Sequence, residues 1–236
     1  MSNYELFNLK NFKLFQSADV FKVGTDAFVL GAWISCNKSP NRILDIGTGT
    51  GILSLMMAQK FPNASITAID SSSESVSLAN ANFQSNEIGR FCKALLCPFQ
   101  EFRQDNKFDL IVSNPPYFLN SMEPKNEIYA RSKHLDSASL EALFCSISRS
   151  LKSDGLAALI HPVHSMFDKI ALDNKLYLTK QLRVYGVKNK LVRLCSVYSH
   201  IPSDLTEVEH LILRDSLGKY TESYKELTLH FHGVDL

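Results

Sequence analysis

The most distinctive polar residues of the chain follow an apolar run in the segment FDLIVSNPPYF, residues 108–118. Prolines cannot donate to a strand ladder, so a strand must end where Pro115 and Pro116 begin. The Asn114 side-chain oxygen and the Pro115 carbonyl can accept hydrogen bonds from an amino group, and Tyr117 offers a ring for stacking. An amide, a rigid backbone and an aromatic ring at one point after a buried strand predict a functional site. The alternative is a sharp structural turn with a buried tyrosine.

A glycine-rich loop lies upstream, in the segment LDIGTGTGILSL. A strand ends at Asp45, and Gly47, Gly49 and Gly51 follow before a predicted helix. Glycines permit a tight turn and let a ligand approach the backbone closely. The pattern therefore predicts a cofactor-binding loop.

The nicotinamide fingerprint G-x-G-x-x-G fits this loop less well. Counted from Gly47 its last position is Ile52, and counted from Gly49 it is Ser54. A dehydrogenase is therefore the weaker interpretation of the glycine pattern.

Asp70 ends the next predicted strand, SITAID, 25 positions after Asp45. A carboxylate at this point of a nucleotide-binding fold can accept hydrogen bonds from both ribose hydroxyls. The alternative role is the N-cap of the following helix, for which Ser72 competes. We expect Asp70 to bind ribose.

Strand-like and helical segments alternate through the middle of the chain, which predicts a mostly parallel α/β sheet with helices on both faces. The predicted strands are 42–47, 65–70, 92–96, 108–113 and 155–162, and the helices are 52–61, 72–86 and 137–151. Closely spaced strands then follow, at 175–187, 190–201 and 206–215. They predict an antiparallel C-terminal edge, closed by a helix at 221–231.

The first 35 residues predict a small β element and a helix over residues 25–34, with Thr25 as its N-cap. No apolar run of about 18 residues occurs, so we expect no transmembrane helix and no membrane partner. The start of the chain does not resemble a signal peptide. Five scattered cysteines without a C-x-x-C pair predict reduced thiols in a cytoplasmic protein.

Charged residues are nearly balanced, with a formal net charge of +1. We therefore expect a monomer, and the dispersed histidines predict no metal site. Residues 174–203 nevertheless lack acidic side chains. This basic span carries Lys175, Lys180, Arg183, Lys188, Lys190 and Arg193. It is either a phosphate-binding surface or a solvated strand face.

The motif D-x-G-x-G-x-G resembles the cofactor loop of class I S-adenosylmethionine-dependent methyltransferases. The resemblance implies that Asp45 and the three glycines surround the methionine part and ribose of that cofactor. N-P-P-Y resembles the signature of methyltransferases that act on planar nitrogens, namely adenine N6 in DNA or RNA and the glutamine amide. Such a nitrogen shares its lone pair with the conjugated group, so acceptors at Asn114 and Pro115 would make it more nucleophilic.

Three further segments resemble the bacterial tRNA (adenine-N6)-methyltransferase family that modifies adenine 37 of a valine tRNA. They are FKLFQSADVFKVGTDAFVLGAW, MEPKNEIYARSKHLD and YTESYKELTLHFH. The resemblance implies a single class I methyltransferase domain over residues 1–236, in which residues 1–35 cover the cofactor and Thr25 contacts it. With tRNA as the partner, the predicted phosphate contacts are Arg131, Lys133, Lys188 and Lys190.

Other functions share parts of this pattern. A glutamine methyltransferase acting on release factors would share N-P-P-Y, but that family carries a helical N-terminal domain, and 44 residues precede Asp45. A DNA adenine methyltransferase would need a target-recognition domain. A non-catalytic RNA-binding module remains a third alternative. One departure from the methyltransferase pattern is the segment LLCPF, which offers no carboxylate to the cofactor's adenine, so that contact falls to the backbone or Gln100.

Overall fold

The computed structural model describes residues 4–115, 137–187 and 190–232. Outside this part of the chain lie five residues that the sequence analysis singles out: Pro116, Tyr117, Arg131, Lys133 and Lys188.

A small antiparallel hairpin, β1 (Glu5–Asn8) and β2 (Lys13–Gln16), precedes the main sheet. Within the described residues the main sheet has eight strands: β3 (Arg42–Ile46), β4 (Ser65–Asp70), β5 (Cys92–Leu96), β6 (Phe108–Ser113), β7 (Leu151–His161), β8 (Tyr177–Tyr185), β9 (Leu191–Ser199) and β10 (Glu207–Ile212). The spatial order is β10-β8-β9-β7-β6-β3-β4-β5. Only β9 runs antiparallel to its neighbours in this sheet. The carboxyl ends of the other strands therefore meet at one edge, where open α/β sheets bind their ligands.

Helices cover both faces of the sheet. They are α1 (Thr25–Trp33), α2 (Ile52–Lys60), α3 (Ser73–Gln84), α4 (Ser137–Ser150), α5 (Met166–Asp173) and α6 (Glu222–Thr228), with a 3₁₀ turn at Glu87–Phe91. One core packs α1, α2, α3 and α6 against one face, and the other packs α4 and α5 against the opposite face. Neighbouring residues of β3 divide between them: Ile43 joins the first core and Leu44 the second. This alternation follows from the period of two in a strand.

The predicted class is confirmed: a mostly parallel α/β sheet with helices on both faces and antiparallel pairing near its C-terminal edge. The outermost strand, β10, pairs in parallel with β8, so the edge is less uniformly antiparallel than the sequence predicts. None of the helices among the described residues is long and apolar enough to cross a membrane.

Two local predictions need correction. Thr25 is not the N-cap of α1: Gly24 takes that position, and its carbonyl accepts from the Ala27 N–H at 3.2 Å. Strand β7 begins at Leu151 rather than 155, directly after α4. The pairing of β6 and β7 shifts register between Phe108 and Leu110, and this irregularity takes up the extra residues around Gly155.

Candidate active site

The glycine loop joins β3 to α2 at the carboxyl edge of the sheet. Gly47, Gly49 and Gly51 have φ values of 74°, 54° and 84°, in the left-handed region that favours glycine. A Cβ on Gly51 would lie 2.6 Å from the Phe83 ring, so this position needs glycine for packing as well as for backbone conformation. At Gly47 and Gly49 a Cβ would meet no described atom within 4 Å. The first two glycines thus border open space, as a ligand-binding loop requires.

Asp45 stabilises the glycine loop through hydrogen bonds to its side chain. Its side chain is fully buried, and Oδ2 accepts hydrogen bonds from Thr48 Oγ1 and Ser54 Oγ, both at 2.7 Å. Oδ1 has no hydrogen-bond partner within the part of the chain that the structure describes. Burial raises the pKa of Asp45 to about 6, against the opposing effect of the two hydroxyls. Thr48 and Ser54 were not predicted as partners of Asp45; the available signal was a hydroxyl residue three positions before Gly51 and another three positions after it.

Asp70 lies at the end of β4 beside the loop. Its Oδ2 accepts from the Gly49 N–H at 3.0 Å, and its Oδ1 accepts from the Ser72 N–H at 2.9 Å. Burial raises the pKa of Asp70 while these backbone bonds lower it. Ser72 is the N-cap of α3, accepting from the Ser75 N–H at 3.1 Å. Asp70 is therefore not needed as the cap, and its unused lone pairs are available to a ligand.

Asn114 follows β6, the strand next to β3. The register pairs Ser113 with Ile46, and Ser113 Oγ donates to the Ile46 carbonyl at 2.8 Å. Asn114 is half-buried and Pro115 is buried. Because paired strands lie about 4.8 Å apart, Asn114 and Gly47 come next to each other at the sheet edge. The structure thus brings the described half of the N-P-P-Y motif to the glycine loop.

Known proteins are similar to this chain in sequence and in fold. The family model "Methyltransferase small domain" matches residues 14–166. A relative from Flavobacteriaceae bacterium (strain 3519-10), named tRNA1(Val) (adenine(37)-N6)-methyltransferase, is 34% identical over 96% of this chain and 97% of its own length. A relative of the same name from Bacteroides thetaiotaomicron is 31% identical over 96% of each chain. The chain belongs to the family of tRNA1(Val) (adenine(37)-N6)-methyltransferases.

Solved structures agree on the fold. A predicted O-methyltransferase from Agrobacterium tumefaciens has a TM-score of 0.64 at 17% identity, over 87% of this chain and 96% of that one. A ribosomal protein L11 methylase from Lactobacillus delbrueckii has a TM-score of 0.56 at 22% identity, over 76% and 80% of the two chains. At these identities the likeness concerns the class I methyltransferase fold alone.

The segment LLCPF, which offers no carboxylate to the cofactor's adenine, begins at the end of β5 beside Asp70. Leu96 pairs with Asp70 in the sheet register, and its side chain is 59% exposed. The Cys97 N–H is already bonded to the Asp70 carbonyl at 2.9 Å, and Gln100 is exposed. The site fits a nucleoside with an attached amino acid, such as S-adenosylmethionine. It offers the exposed Leu96 side chain, the Asp70 carboxylate and open space at Gly47 and Gly49.

Two residues of the predicted basic span form ion pairs within the fold. Lys180 forms ion pairs with Glu207 at 3.1 Å and Glu209 at 2.6 Å, and Arg193 pairs with Asp26 at 2.8 Å. These two residues hold strands and α1 together, so for them the phosphate-binding interpretation loses its basis.

Lys190 remains exposed in the turn between β8 and β9. Since β8 runs parallel to β7 and β6, this turn lies at the same edge as Asn114. Among the described residues no cluster of His, Cys, Asp and Glu could hold a metal ion.

Proposed function

We propose that the protein transfers the methyl group of S-adenosylmethionine to the N6 amino group of an adenine in tRNA, specifically adenine 37 of a valine tRNA. The observation that carries this proposal is the position of Asn114, held beside the glycine loop by the register of β6 and β3. The names of relatives that match almost the whole chain support the choice of substrate.

The chemistry required of the protein is modest. The cofactor supplies a methyl group on a sulfonium, which is a good leaving group, so no metal or strong base is needed. The adenine nitrogen would gain the methyl group as the carbon–sulfur bond breaks and a neutral thioether leaves, and the nitrogen would release one proton to water. The Asn114 side-chain oxygen and the Pro115 carbonyl would accept the amino hydrogens and stabilise the positive charge that develops on nitrogen. Pro116 would hold the turn rigid, and Tyr117 would stack on the base.

The cofactor contacts follow from the loop geometry. Asp70, already fixed by two backbone N–H groups, would accept from the ribose hydroxyls. Gly47 and Gly49 would let the methionine part approach the backbone. Asp45 would act by holding the loop in shape, with Thr48 and Ser54. Gly51 would set the start of α2.

The N-terminal segment forms the remaining side of the proposed site. Thr25 is half-buried at the start of α1, and the Val23 N–H just before it donates to Gln16 Oε1 at 2.9 Å. This contact fixes the connection between β2 and α1. We expect residues 1–35 to cover the cofactor, with Thr25 in contact with it, as parts of one domain spanning 1–236.

The RNA would be held by phosphate contacts around the same edge. Lys190 lies there, and Arg131, Lys133 and Lys188 would complete the surface. Phosphate contacts position an RNA, while the pocket selects the base. We expect a cytoplasmic monomer, consistent with a tRNA substrate and with cysteines that are free throughout the described residues.

The deciding experiment is methyl transfer from labelled S-adenosylmethionine to total tRNA from a strain that lacks this gene, followed by nucleoside analysis and mapping. N6-methyladenosine at position 37 of a valine tRNA, lost with Asn114→Ala at unchanged cofactor affinity, is the expected result. Label in a release factor or in DNA, with none in tRNA, would overturn the substrate. Absence of cofactor binding by the wild-type protein would overturn the enzyme itself.

A further inference from the structure

Asn80 and Asn82 of α3, and Asn86 two residues beyond its end, each form hydrogen bonds with the backbone of one residue in another segment. Asn80 pairs with both the N–H and the carbonyl of Ala94, each at 3.0 Å. Asn82 accepts from the Phe15 N–H at 2.7 Å and donates to the Phe15 carbonyl at 3.0 Å. Asn86 does the same for Lys13, at 2.9 and 2.8 Å. A side-chain amide thus replaces a neighbouring strand at each point.

The spacing of Asn82 and Asn86 matches strand β2. Asn82 lies in the last turn of α3 and Asn86 two residues beyond its end, and their two amides reach strand positions about 6.8 Å apart. Backbone groups of alternate strand residues point to the same side, so Lys13 and Phe15 present their groups to α3 together. The other edge of β2 pairs with β1. The N-terminal hairpin is therefore docked on α3 and on Asn86 through its backbone, in addition to buried side chains such as Leu14.

Asn82 alone of these asparagines also contacts the glycine loop. It is fully buried, and its Nδ2 donates to the Thr50 carbonyl at 2.8 Å as well as to that of Phe15. Thr50 lies between Gly49 and Gly51. The next residue of β2, Gln16, binds the Val23 N–H. One amide group therefore connects the loop to the hairpin and, through Gln16, to the entry of α1.

We propose that Asn82 is a positioning residue that couples cofactor binding in the glycine loop to docking of the N-terminal hairpin. A bound cofactor that restricts the glycine loop to one conformation also fixes the position of the Thr50 carbonyl. This position favours the Asn82 side-chain orientation that binds the Phe15 backbone. Coupling between two sites is reciprocal, so a docked hairpin in turn raises affinity for the cofactor. The inference rests on the proposed function only in placing S-adenosylmethionine at the glycine loop.

The chain supplies its own matched controls. Asn86→Ala removes the same pair of backbone bonds from the hairpin without touching the loop, although it also removes the bond from Asn86 Nδ2 to the Asn82 carbonyl at 2.7 Å. Asn80→Ala removes such a pair elsewhere on the same helix. In the full-length protein, we expect Asn82→Ala to weaken S-adenosylmethionine binding by about tenfold. The KM for the cofactor should rise equally, with kcat at saturating cofactor unchanged. Asn86→Ala and Asn80→Ala should stay within about threefold of wild type.

Amide hydrogen exchange distinguishes coupling from a purely structural role, because only coupling makes exchange in the hairpin depend on bound cofactor. We expect S-adenosylmethionine to slow exchange of the Lys13 and Phe15 amides in the wild-type protein, and to lose that effect in Asn82→Ala while still protecting the glycine loop. The proposal is overturned by equal losses of cofactor affinity in Asn82→Ala and Asn86→Ala. It is also overturned by unchanged Phe15 exchange in the liganded wild type, a result that needs no variant to fold. Failure of the wild type to bind cofactor would instead remove the proposed function.

Discussion

The hydroxyl of Ser113 donates a hydrogen bond of 2.8 Å to the backbone carbonyl of Ile46, across the ends of two parallel strands. The next residue on one side is Asn114, and the next residue on the other is Gly47. Ser113 is fully buried, so the bond is shielded from water. It fixes where Asn114, which we propose accepts a hydrogen bond from the adenine amino group, stands relative to the cofactor loop.

Ser113→Ala should therefore slow catalysis more than it weakens cofactor binding. We expect kcat to fall about tenfold, since small displacements of reacting groups are costly, with the KM for S-adenosylmethionine unchanged. The stability loss should be about 1 kcal/mol, the net contribution of a buried hydrogen bond. Ser146→Ala is the control, because Ser146 Oγ makes the same kind of bond, to the Phe99 carbonyl at 2.8 Å. An equal fall in kcat in both variants would contradict the role given to Ser113.

Alanine at two glycines of the loop should affect different properties: Gly49→Ala mainly lowers cofactor affinity, and Gly51→Ala mainly lowers stability. At Gly49 the added methyl group meets no described atom, so Gly49→Ala should cost about 1–2 kcal/mol of stability from the left-handed backbone. Its Cβ should nevertheless obstruct the cofactor and lower affinity. At Gly51 the methyl group collides with Phe83, so Gly51→Ala should cost about 3 kcal/mol or more. Urea unfolding and calorimetric titration check both; stronger cofactor loss in a stably folded Gly51→Ala would refute the contrast.

The buried carboxylate of Asp45 should make stability fall with rising pH. Its pKa is raised from 3.8 to about 6 by burial, so the folded state holds the proton more tightly than the unfolded state. The stabilisation from this group is present below about pH 4 and is lost as pH rises through about 6. The pKa of Asp70 is also raised, so Asp70 contributes in the same direction. The pKa of Cys92 is raised to about 12, so that thiol does not titrate in this pH range. Asp45→Asn should flatten the dependence of unfolding free energy on pH between 4.5 and 7; parallel profiles would reject this assignment.

Lys60 should stabilise the C-terminal end of α1. Its ammonium donates to the carbonyls of Gly31 at 3.2 Å, Ala32 at 2.8 Å and Ile34, and burial lowers its pKa to about 8. Lys60→Met leaves these carbonyls without a donor, and we expect a loss of about 1–3 kcal/mol in chemical unfolding.

Lys152→Met is the comparison for Lys60→Met. The ion pair of Lys152 with Asp109 is partly exposed, so its loss should cost at most about 1 kcal/mol. A larger cost at Lys152 than at Lys60 would show that the helix-end contacts contribute little.

Lys190→Glu should weaken tRNA binding without altering cofactor affinity. Lys190 lies in the turn at the edge that carries Asn114, whereas Lys175, also exposed, precedes the opposite end of β8. We expect Lys190→Glu to lower affinity and to reduce the salt dependence of binding by about one phosphate contact. Lys175→Glu should bind like the wild type. Equal effects of the two reversals, in filter binding across a salt series, would point to net charge rather than a specific surface.

The sequence predicted the sheet, the loop glycines and Asp70 because strand periodicity and glycine spacing are local signals. It could not identify Asn82, whose partner Phe15 is 67 positions away and is bound through its backbone. Nor could it separate Lys180 and Arg193 from the basic span, since their acidic partners lie outside that span, on β10 and on α1. Thr25 was assigned as a cap because its hydroxyl suits that role, but the backbone gives the position to Gly24.

The hairpin is also held by residues made very late. The Lys10 N–H donates to the Phe231 carbonyl at 3.0 Å, and Lys10 Nζ contacts the Leu229 carbonyl 219 positions away. At about 5–20 residues per second, a ribosome takes on the order of 10–40 s to make the intervening chain. A nascent chain therefore carries its first strands without their final packing partners for most of its synthesis. Its N-terminal segment reaches its full set of contacts only once residue 231 has left the exit tunnel.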